Sequence, residues 1–275
     1  MVRQKAGSAE SREYTELSVA YFSAAFSELF DNIPTVDFLS SDKSEGIRRS
    51  LVNSSRRVHM ISISRKSDFL EIVRNEMELV RHVGLFFEGD LDLYDKRDLI
   101  LRLPDHLEIE GSLTLTDCDR LIHLPQGLKV GNRLDLTGCR AIKRLPDDLI
   151  VGTDIVLFGC DSLTHLPKDF GTAGCFDLRH CVSIKNLPES LNVGQCLFLD
   201  DCVNLNELPK SLCVGGELHM RNCSGVSSIP EDISVAGNLD ITGCEKLKSI
   251  KSHRGIGGAI VHSPIGWIKS TWARK

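Results

Sequence analysis

The stretch 128–146, LKVGNRLDLTGCRAIKRLP, decides the fold of this chain. Its first half alternates apolar and polar positions, with the apolar ones at Leu128, Val130, Leu134 and Leu136. Since successive side chains of a strand point to opposite faces, this alternation predicts one strand with a buried face. Further on, Ile142 and Leu145 are three residues apart and Pro146 closes the stretch, which favours a short 3₁₀ or extended return arm over an α-helix.

The pattern of this stretch recurs every 21 residues along most of the chain. Seven prolines keep that interval: Pro104, Pro125, Pro146, Pro167, Pro188, Pro209 and Pro230. Seven cysteines keep it as well: Cys118, Cys139, Cys160, Cys181, Cys202, Cys223 and Cys244. A fixed period of this length is typical of a solenoid, in which each coil buries its apolar face against its neighbours.

Two columns of the repeat stay apolar from coil to coil. The first column reads Leu113, Leu134, Ile155, Phe176, Leu197, Leu218 and Leu239. The second reads Leu115, Leu136, Leu157, Leu178, Leu199, Met220 and Ile241. These columns predict that the inward face of the strand recurs in every coil and is buried against the neighbouring coils.

The repeat L-x-L-x-x-C-x-x-L-x-x-L-P resembles the leucine-rich repeat family, with Cys in a position that Asn often occupies. The resemblance covers roughly residues 85–268. It implies a curved parallel sheet that lines a concave face, and the short return arms imply a flatter arc than helix-backed members have. The expected fold class is therefore an α/β solenoid of 21-residue leucine-rich repeats with an N-terminal helical cap.

Four segments are predicted along the chain. They are a disordered N-terminus at 1–10, a helical capping region at 11–84, leucine-rich repeats at 85–250 and a degenerate capping repeat at 251–275. The last segment holds Trp267 and Trp272, which we expect to cover the final coil, because an uncovered coil would expose unpaired strand edges.

Amphipathic patterns predict two helices before the repeats, at Ser11–Asn32 and at Asp68–Val80. Ser67 precedes the second helix and is a candidate N-cap residue. The Ser- and Arg-rich stretch between them is interpreted as a loop, or as a short helix over Ile47–Val52.

The composition limits the class of protein. A net charge of −5 with 26% charged residues argues against general nucleic-acid binding. No run of about 18 apolar residues occurs, so no membrane span is expected. The N-terminus lacks the apolar segment of a cleaved secretory signal. We expect no cofactor, since none of the common nucleotide-binding or metal-binding motifs is present.

The seven periodic cysteines predict a buried ladder of free thiols. Equivalent residues of neighbouring coils lie about 4.8 Å apart with parallel Cβ directions, which is a poor geometry for disulfides. A buried thiol behaves as a small apolar group. A zinc site is the weaker alternative, because C-x-x-C and paired Cys/His spacings are missing. Free thiols in a core indicate a reducing compartment such as the cytosol.

The outward strand positions predict a protein-binding surface in the middle coils. Apolar residues stand where polar ones would suffice, and Arg and His residues flank them, as in interface hot spots. The alternative is that these are single apolar surface residues without a binding role, which are common in soluble proteins. The predicted binding residues are Val156, Phe158, Asp177, Arg179, His180, Phe198, Asp200, His219 and Arg221.

A catalytic interpretation of the same surface is weaker. Cys175 and Cys196 share an outward column near His219 and Asp177, which suggests a Cys–His–Asp nucleophile. The predicted Cys–His separation of about 8 Å is too long, and a flat sheet offers no oxyanion hole. The sequence therefore predicts no catalytic residues and no enzyme.

The repeats, the polar N-terminus and the thiol core together resemble leucine-rich repeat effectors that bacterial pathogens deliver into host cells. This resemblance implies a monomeric scaffold that binds a host protein in the host cytoplasm after secretion by a type III or type IV system. The alternative is a ubiquitin-ligase-type effector, or an adaptor whose N-terminal helices recruit ubiquitination machinery. Only about 85 residues precede the repeats, too few for a catalytic module of that type.

Overall fold

The computed structural model of the protein describes residues 47–48, 60–75, 84–94, 102–247 and 254–262. The chain divides into two compact units, residues 1–88 and 89–275. Several predictions lie outside the described residues, namely those for 1–10, for the helix Ser11–Asn32, and for Trp267 and Trp272.

The first unit combines short strands with a helix. Its described elements are β1 (Ile47–Arg48), β2 (Met60–Ile63), α1 (Lys66–Asn75) and β3 (Gly84–Phe87). Strand β2 is antiparallel to β1 and parallel to β3. Phe69 of α1 and Phe87 of β3 are buried and pack edge to face with ring centroids 6.1 Å apart, so the helix covers the sheet.

The predictions for this unit need three corrections. Helix α1 begins at Lys66 rather than Asp68, because the carbonyl of Arg65 already accepts the N–H of Phe69 at 3.2 Å. The N-cap prediction for Ser67 is wrong, since Ser67 lies in the first turn and its hydroxyl donates to Asp68 Oδ1 at 3.1 Å. Strand β1 also stands where a loop or a short helix was predicted, so the region is not purely helical.

The second unit is a parallel β-solenoid with coils of about 21 residues. Its strands are β4 (Leu91–Asp92), β5 (Leu107–Ile109), β6 (Leu113–Thr114), β7 (Lys129–Val130), β8 (Leu134–Asp135), β9 (Ile150–Val151), β10 (Ile155–Val156), β11 (Gly171–Thr172), β12 (Phe176–Asp177), β13 (Asn192–Val193), β14 (Leu197–Phe198), β15 (Cys213–Val214), β16 (Leu218–His219), β17 (Ser234–Val235), β18 (Leu239–Asp240) and β19 (Ile260–Val261). The front sheet joins nine of them in the order β4-β6-β8-β10-β12-β14-β16-β18-β19. Both predicted apolar columns are buried beneath this sheet.

A second series of parallel strands runs along the return arms. Strand β7 pairs with β5 and β9, and a separate sheet has the order β11-β13-β15-β17. Isolated parallel bridges also join equivalent positions of neighbouring coils, Arg144 to His165 and Asn186 to Glu207. These positions follow the front strand and precede the strand of the second series along the chain. The return arm is therefore extended in part, as predicted, and it also carries parallel pairing between coils that was not predicted.

A corner splits the single strand that was predicted over 128–136. Val130 belongs to the second series and Leu134 to the front sheet, and the three residues between them are exposed. The chain turns at Gly131, where an added Cβ would lie 1.9 Å from the carbonyl oxygen of Glu110. Glycine at this corner lets the backbones of successive coils approach closely.

The predicted thiol ladder is confirmed. All seven of its cysteines are free and buried. The Cys160 thiol donates a hydrogen bond at 3.3 Å to the carbonyl of Leu136, which also accepts the N–H of Cys139 at 3.0 Å. The same thiol-to-carbonyl contact to the preceding coil recurs at Cys139, Cys181, Cys202, Cys223 and Cys244. Each of these six thiols therefore packs as a small apolar group and joins two coils.

The residue before each ladder cysteine has a left-handed backbone conformation. These residues are Asp117, Gly138, Gly159, His180, Asp201, Asn222 and Gly243, all with positive φ. Only Gly, Asn, Asp and His adopt such angles readily, which explains the composition of the column. The left-handed turn ends each front strand and directs the following cysteine into the core.

Candidate protein-binding face

The outward side chains of the front sheet form one surface, which we call the sheet face. It comprises three positions per coil, beginning with Ser112, Thr114 and Thr116 and ending with Asn238, Asp240 and Thr242. In the fourth of these coils Phe176 and Leu178 are buried, whereas Cys175 and Arg179 on either side are partly exposed. Eight of the nine predicted binding residues occupy the sheet face, and His180 occupies the turn beside it.

Four side chains on this face stack on one another across four successive coils. The Arg179 guanidinium carbon lies 5.3 Å from the ring centroids of both Phe158 and Phe198. The His219 ring then stacks on Phe198, with centroids 4.9 Å apart and planes at 20°. The side-chain spacing matches the distance of about 4.8 Å between neighbouring strands, so the solenoid itself sets the stacking distance. We call Phe158, Arg179, Phe198 and His219 the stack.

Asp177 holds the central arginine of the stack in place. Its carboxylate accepts hydrogen bonds from Arg179 Nε at 2.9 Å and from Arg179 Nη2 at 2.6 Å, and it also accepts the Arg179 N–H at 3.0 Å. The hydrogen bond with Asp177 raises the pKa of Arg179, which therefore keeps its charge. A guanidinium held by the Nε and Nη2 hydrogen bonds and flanked by two rings is preorganised for contact with a partner.

A similar pair lies further along the face. Arg221 Nε donates to Asp240 Oδ2 at 2.6 Å, and the Arg221 N–H donates to Asp200 Oδ1 at 2.7 Å. Burial by itself would raise the pKa of Asp240, but hydrogen bonds from Thr242 and Arg221 hold it below its ordinary value. Asp240 is therefore a buried anion that anchors a half-exposed arginine.

Not every predicted residue offers a surface to a partner. Val156 is only 8% exposed and Asp177 only 6%, so neither offers contact surface to a partner, and Asp177 instead holds Arg179. His180 packs edge to face on Phe158 at 5.0 Å and lies 3.5 Å from Asp201 Oδ2. Its positive φ of 59° shows that the turn also restricts which residue can stand there.

The sequence interpretation missed three residues that organise this face: Glu217, Asn238 and Asp240. Glu217 contacts the His219 ring nitrogen at 3.0 Å with one oxygen and accepts from Asn238 at 2.7 Å with the other. Asp240 accepts the N–H of Thr242 two residues later, as Asp177 does from Arg179. An Asp followed by Thr or Arg two residues on was the signal in the sequence that could have identified these anchoring carboxylates.

The two outward cysteines are free thiols beside the stack. The Cys175 thiol lies 3.6 Å from Gln195 Oε1, and Cys196 Sγ accepts the N–H of Glu217 at 3.5 Å. His219, the base of the imagined nucleophile, contacts Glu217 instead. Burial raises the pKa of the Cys175 thiol, which is the opposite of what activates a nucleophilic cysteine.

In the described parts of the chain, no three His, Cys, Asp or Glu side chains gather closely enough to hold a metal ion. Within the same residues, no helix has the length and apolar character that crossing a membrane requires.

Comparisons with known proteins add no assignment to this geometry. No protein-family model matches the chain, and no match was found among curated proteins or among solved structures either. The proposed function therefore depends on the geometry of the sheet face and its stack.

Proposed function

We propose that this chain is a binding protein whose sheet face holds a protein partner. The observation that carries the proposal is the stack, in which one side chain from each of four coils contributes to a single partly exposed ridge. Aromatic and arginine side chains at the centre of a surface are the usual makeup of an interface hot spot. Asp177 fixes Arg179 in advance, so little side-chain entropy is lost on binding.

The assignment to leucine-rich repeats and the action as a bacterial effector are finer proposals, and both rest on the resemblance of the repeat. The parallel solenoid with its core of free thiols supports action in a reducing compartment. Binding of a host protein by the sheet face would be the activity of such an effector, with no covalent chemistry required of the chain.

Replacing both rings of the stack should abolish partner binding. The double variant Phe158→Ala/Phe198→Ala removes the two surfaces that sandwich Arg179, and hot-spot truncations cost about 2 kcal/mol or more each. We expect recovery of the partner from a eukaryotic cell lysate to fall at least about 30-fold, as measured by quantitative mass spectrometry on immobilised protein.

The control is a double variant with matched apolar losses elsewhere on the solenoid. Ile122 and Val203 are exposed apolar residues outside the sheet face, and Ile122→Ala/Val203→Ala should recover the same partner as the wild type. Circular dichroism checks that both variants are folded. Equal recovery of the partner by the wild type and by Phe158→Ala/Phe198→Ala, which we call the stack variant, would refute the proposal.

A further inference from the structure

The sheet face carries more carboxylates than guanidinium groups. Between Ser112 and Thr242 its outward positions hold six acids, which are Asp135, Asp154, Asp177, Asp200, Glu217 and Asp240. The same positions hold three bases, which are Arg133, Arg179 and Arg221. Six acids against three bases leave a formal charge of −3, with His219 taken as neutral.

Each arginine on the face is already paired with its own carboxylate. Arg133 contacts Asp135 at 2.8 Å, and the other two pairs are Arg179 with Asp177 and Arg221 with Asp240, both at 2.6 Å. The excess charge therefore belongs to the remaining three acids, Asp154, Asp200 and Glu217. Among the residues that the structure describes, none of these three forms a salt bridge with a lysine or arginine.

The three carboxylates without a Lys or Arg partner border the stack, and of these Glu217 already contacts His219 and Asn238. Asp154 lies four residues before Phe158, Asp200 two residues after Phe198, and Glu217 two residues before His219. Asp154 Oδ1 accepts the N–H of Cys175 at 2.7 Å, and Asp200 Oδ1 accepts the N–H of Arg221. These bonds hold both carboxylates in place while the second oxygen of each has no hydrogen-bond partner among the described residues. The stack and its border span four coils, about 14 Å at the usual strand spacing.

We infer that the partner of the sheet face is a basic polypeptide segment, whose Lys and Arg side chains pair with Asp154, Asp200 and Glu217. This inference rests on the proposed function and names the chemistry of the partner. Long basic side chains can lay their aliphatic stems against the edges of Phe158 and Phe198 while their charged ends reach the carboxylates. An acidic partner or a nucleic acid would meet the excess negative charge and be repelled.

The test uses two synthetic fluorescent 15-residue peptides that differ only in charge. One carries alternating Lys and Phe residues separated by Gly, and the other has Glu in place of each Lys. The protein variant Asp154→Asn/Asp200→Asn/Glu217→Gln, which we call the face variant, removes the three charges. It keeps one oxygen acceptor at each position, for the N–H groups of Cys175 and Arg221 and for the Asn238 amide. The control Asp169→Asn/Glu189→Gln/Glu231→Gln makes the same change in net charge at exposed positions that follow the repeat prolines.

Fluorescence anisotropy should show that the wild type and the control bind the basic peptide equally. The face variant should bind at least about 10-fold more weakly, and the affinity of the wild type should fall between 50 and 300 mM salt because the charges are exposed. The acidic peptide should not bind. Failure of the wild type to bind the basic peptide, or an equal loss in both triple variants, would overturn the inference.

Two further outcomes separate this inference from the proposed function. Suppose that Phe158→Ala/Phe198→Ala loses the partner captured from lysate while the face variant keeps it. The proposal of protein binding then stands, and the inference that the partner is basic is wrong. If the stack variant keeps that partner, the proposed function itself fails. Sedimentation that shows the wild type associating with itself through this face would identify a second copy as the occupant and would also overturn the inference.

Discussion

Raising the pH from about 9 to about 11 should unfold the solenoid in one steep transition, because the thiol ladder must stay protonated in the core. Burial raises the pKa of Cys160 and Cys202 to about 12 and that of Cys244 to about 11, from an ordinary value of 9.0. Burial likewise raises the pKa of Cys181 and Cys223. The pKa of Cys139 rises because of its hydrogen bond with Cys118 together with burial.

The direction of the effect follows from which state binds more protons. Above the unfolded-state pKa near 9 the unfolded chain releases its thiol protons, whereas the folded core keeps them until the pH passes the raised values. Each such thiol stabilises the fold fully below pH 9 and loses that contribution as the pH rises. The loss is about 1.4 kcal/mol per thiol and pH unit, so six thiols lower the free energy of unfolding by roughly 8 kcal/mol per unit. Domains are typically stable by about 5–15 kcal/mol, so a rise of one to two pH units above pH 9 is enough to unfold the solenoid.

Urea unfolding at a series of pH values above 9 measures the slope of the free energy of unfolding against pH. Two cysteine variants test whether the ladder thiols cause that slope. Cys181→Ala/Cys202→Ala removes two ladder thiols and should reduce the slope by about 2.7 kcal/mol per pH unit, while lowering the stability at pH 7. Cys196→Ala/Cys213→Ala removes two thiols outside the ladder and should leave the slope unchanged. A slope that is the same in both variants would contradict a buried ladder.

Phe176→Ala should destabilise the protein by about 3–5 kcal/mol at neutral pH. Phe176 is the one aromatic residue in an inward column of Leu and Ile, is fully buried, and packs edge to face on Phe170 with centroids 5.4 Å apart. Removing its ring leaves a cavity beneath the front sheet, and the hydrogen-bonded coils on either side limit how far that cavity can collapse. Urea unfolding monitored by circular dichroism measures the loss.

Two variants serve as controls for this prediction. Phe176→Leu restores the residue found elsewhere in the column and should cost less than about 1.5 kcal/mol. Phe198→Ala makes the same chemical change on the outward side of the neighbouring strand, where the ring is partly exposed, and should cost markedly less than Phe176→Ala. Equal losses at Phe176 and Phe198 would mean that the assignment of inward and outward columns is wrong.

The sequence could predict the solenoid because burial dictates its columns. The apolar columns and the ladder repeat at one interval, and any other register would expose Leu136 or Cys139. The spacing of apolar residues does not reveal the corner at Gly131, since Val130 and Leu134 fit one period of two. They nevertheless belong to different sheets, and the three residues between them are exposed. Strand β1 is two residues long and pairs with β2, and so short a strand has no local pattern that reveals it.

The candidate site could be predicted in part for a similar reason. Outward positions have no packing requirement, so apolar Phe158 and Phe198 are conspicuous in columns of polar residues. Their contact with Arg179 depends on the distance between strands, which the repeat implies. The burial of Asp177 and Asp240 could not be inferred, because both occupy outward positions and are covered only by the side chains around them.

The placement of the thiols tests the central claim most directly, because one register buries seven cysteines and leaves three outside. A brief maleimide pulse on the native protein at pH 7.5, followed by residue-resolved mass spectrometry, should modify Cys175, Cys196 and Cys213. The seven ladder cysteines should react only after denaturation. Ladder cysteines that react as fast as Cys213, or that are found in disulfides, would contradict the stacking register on which the sheet face depends.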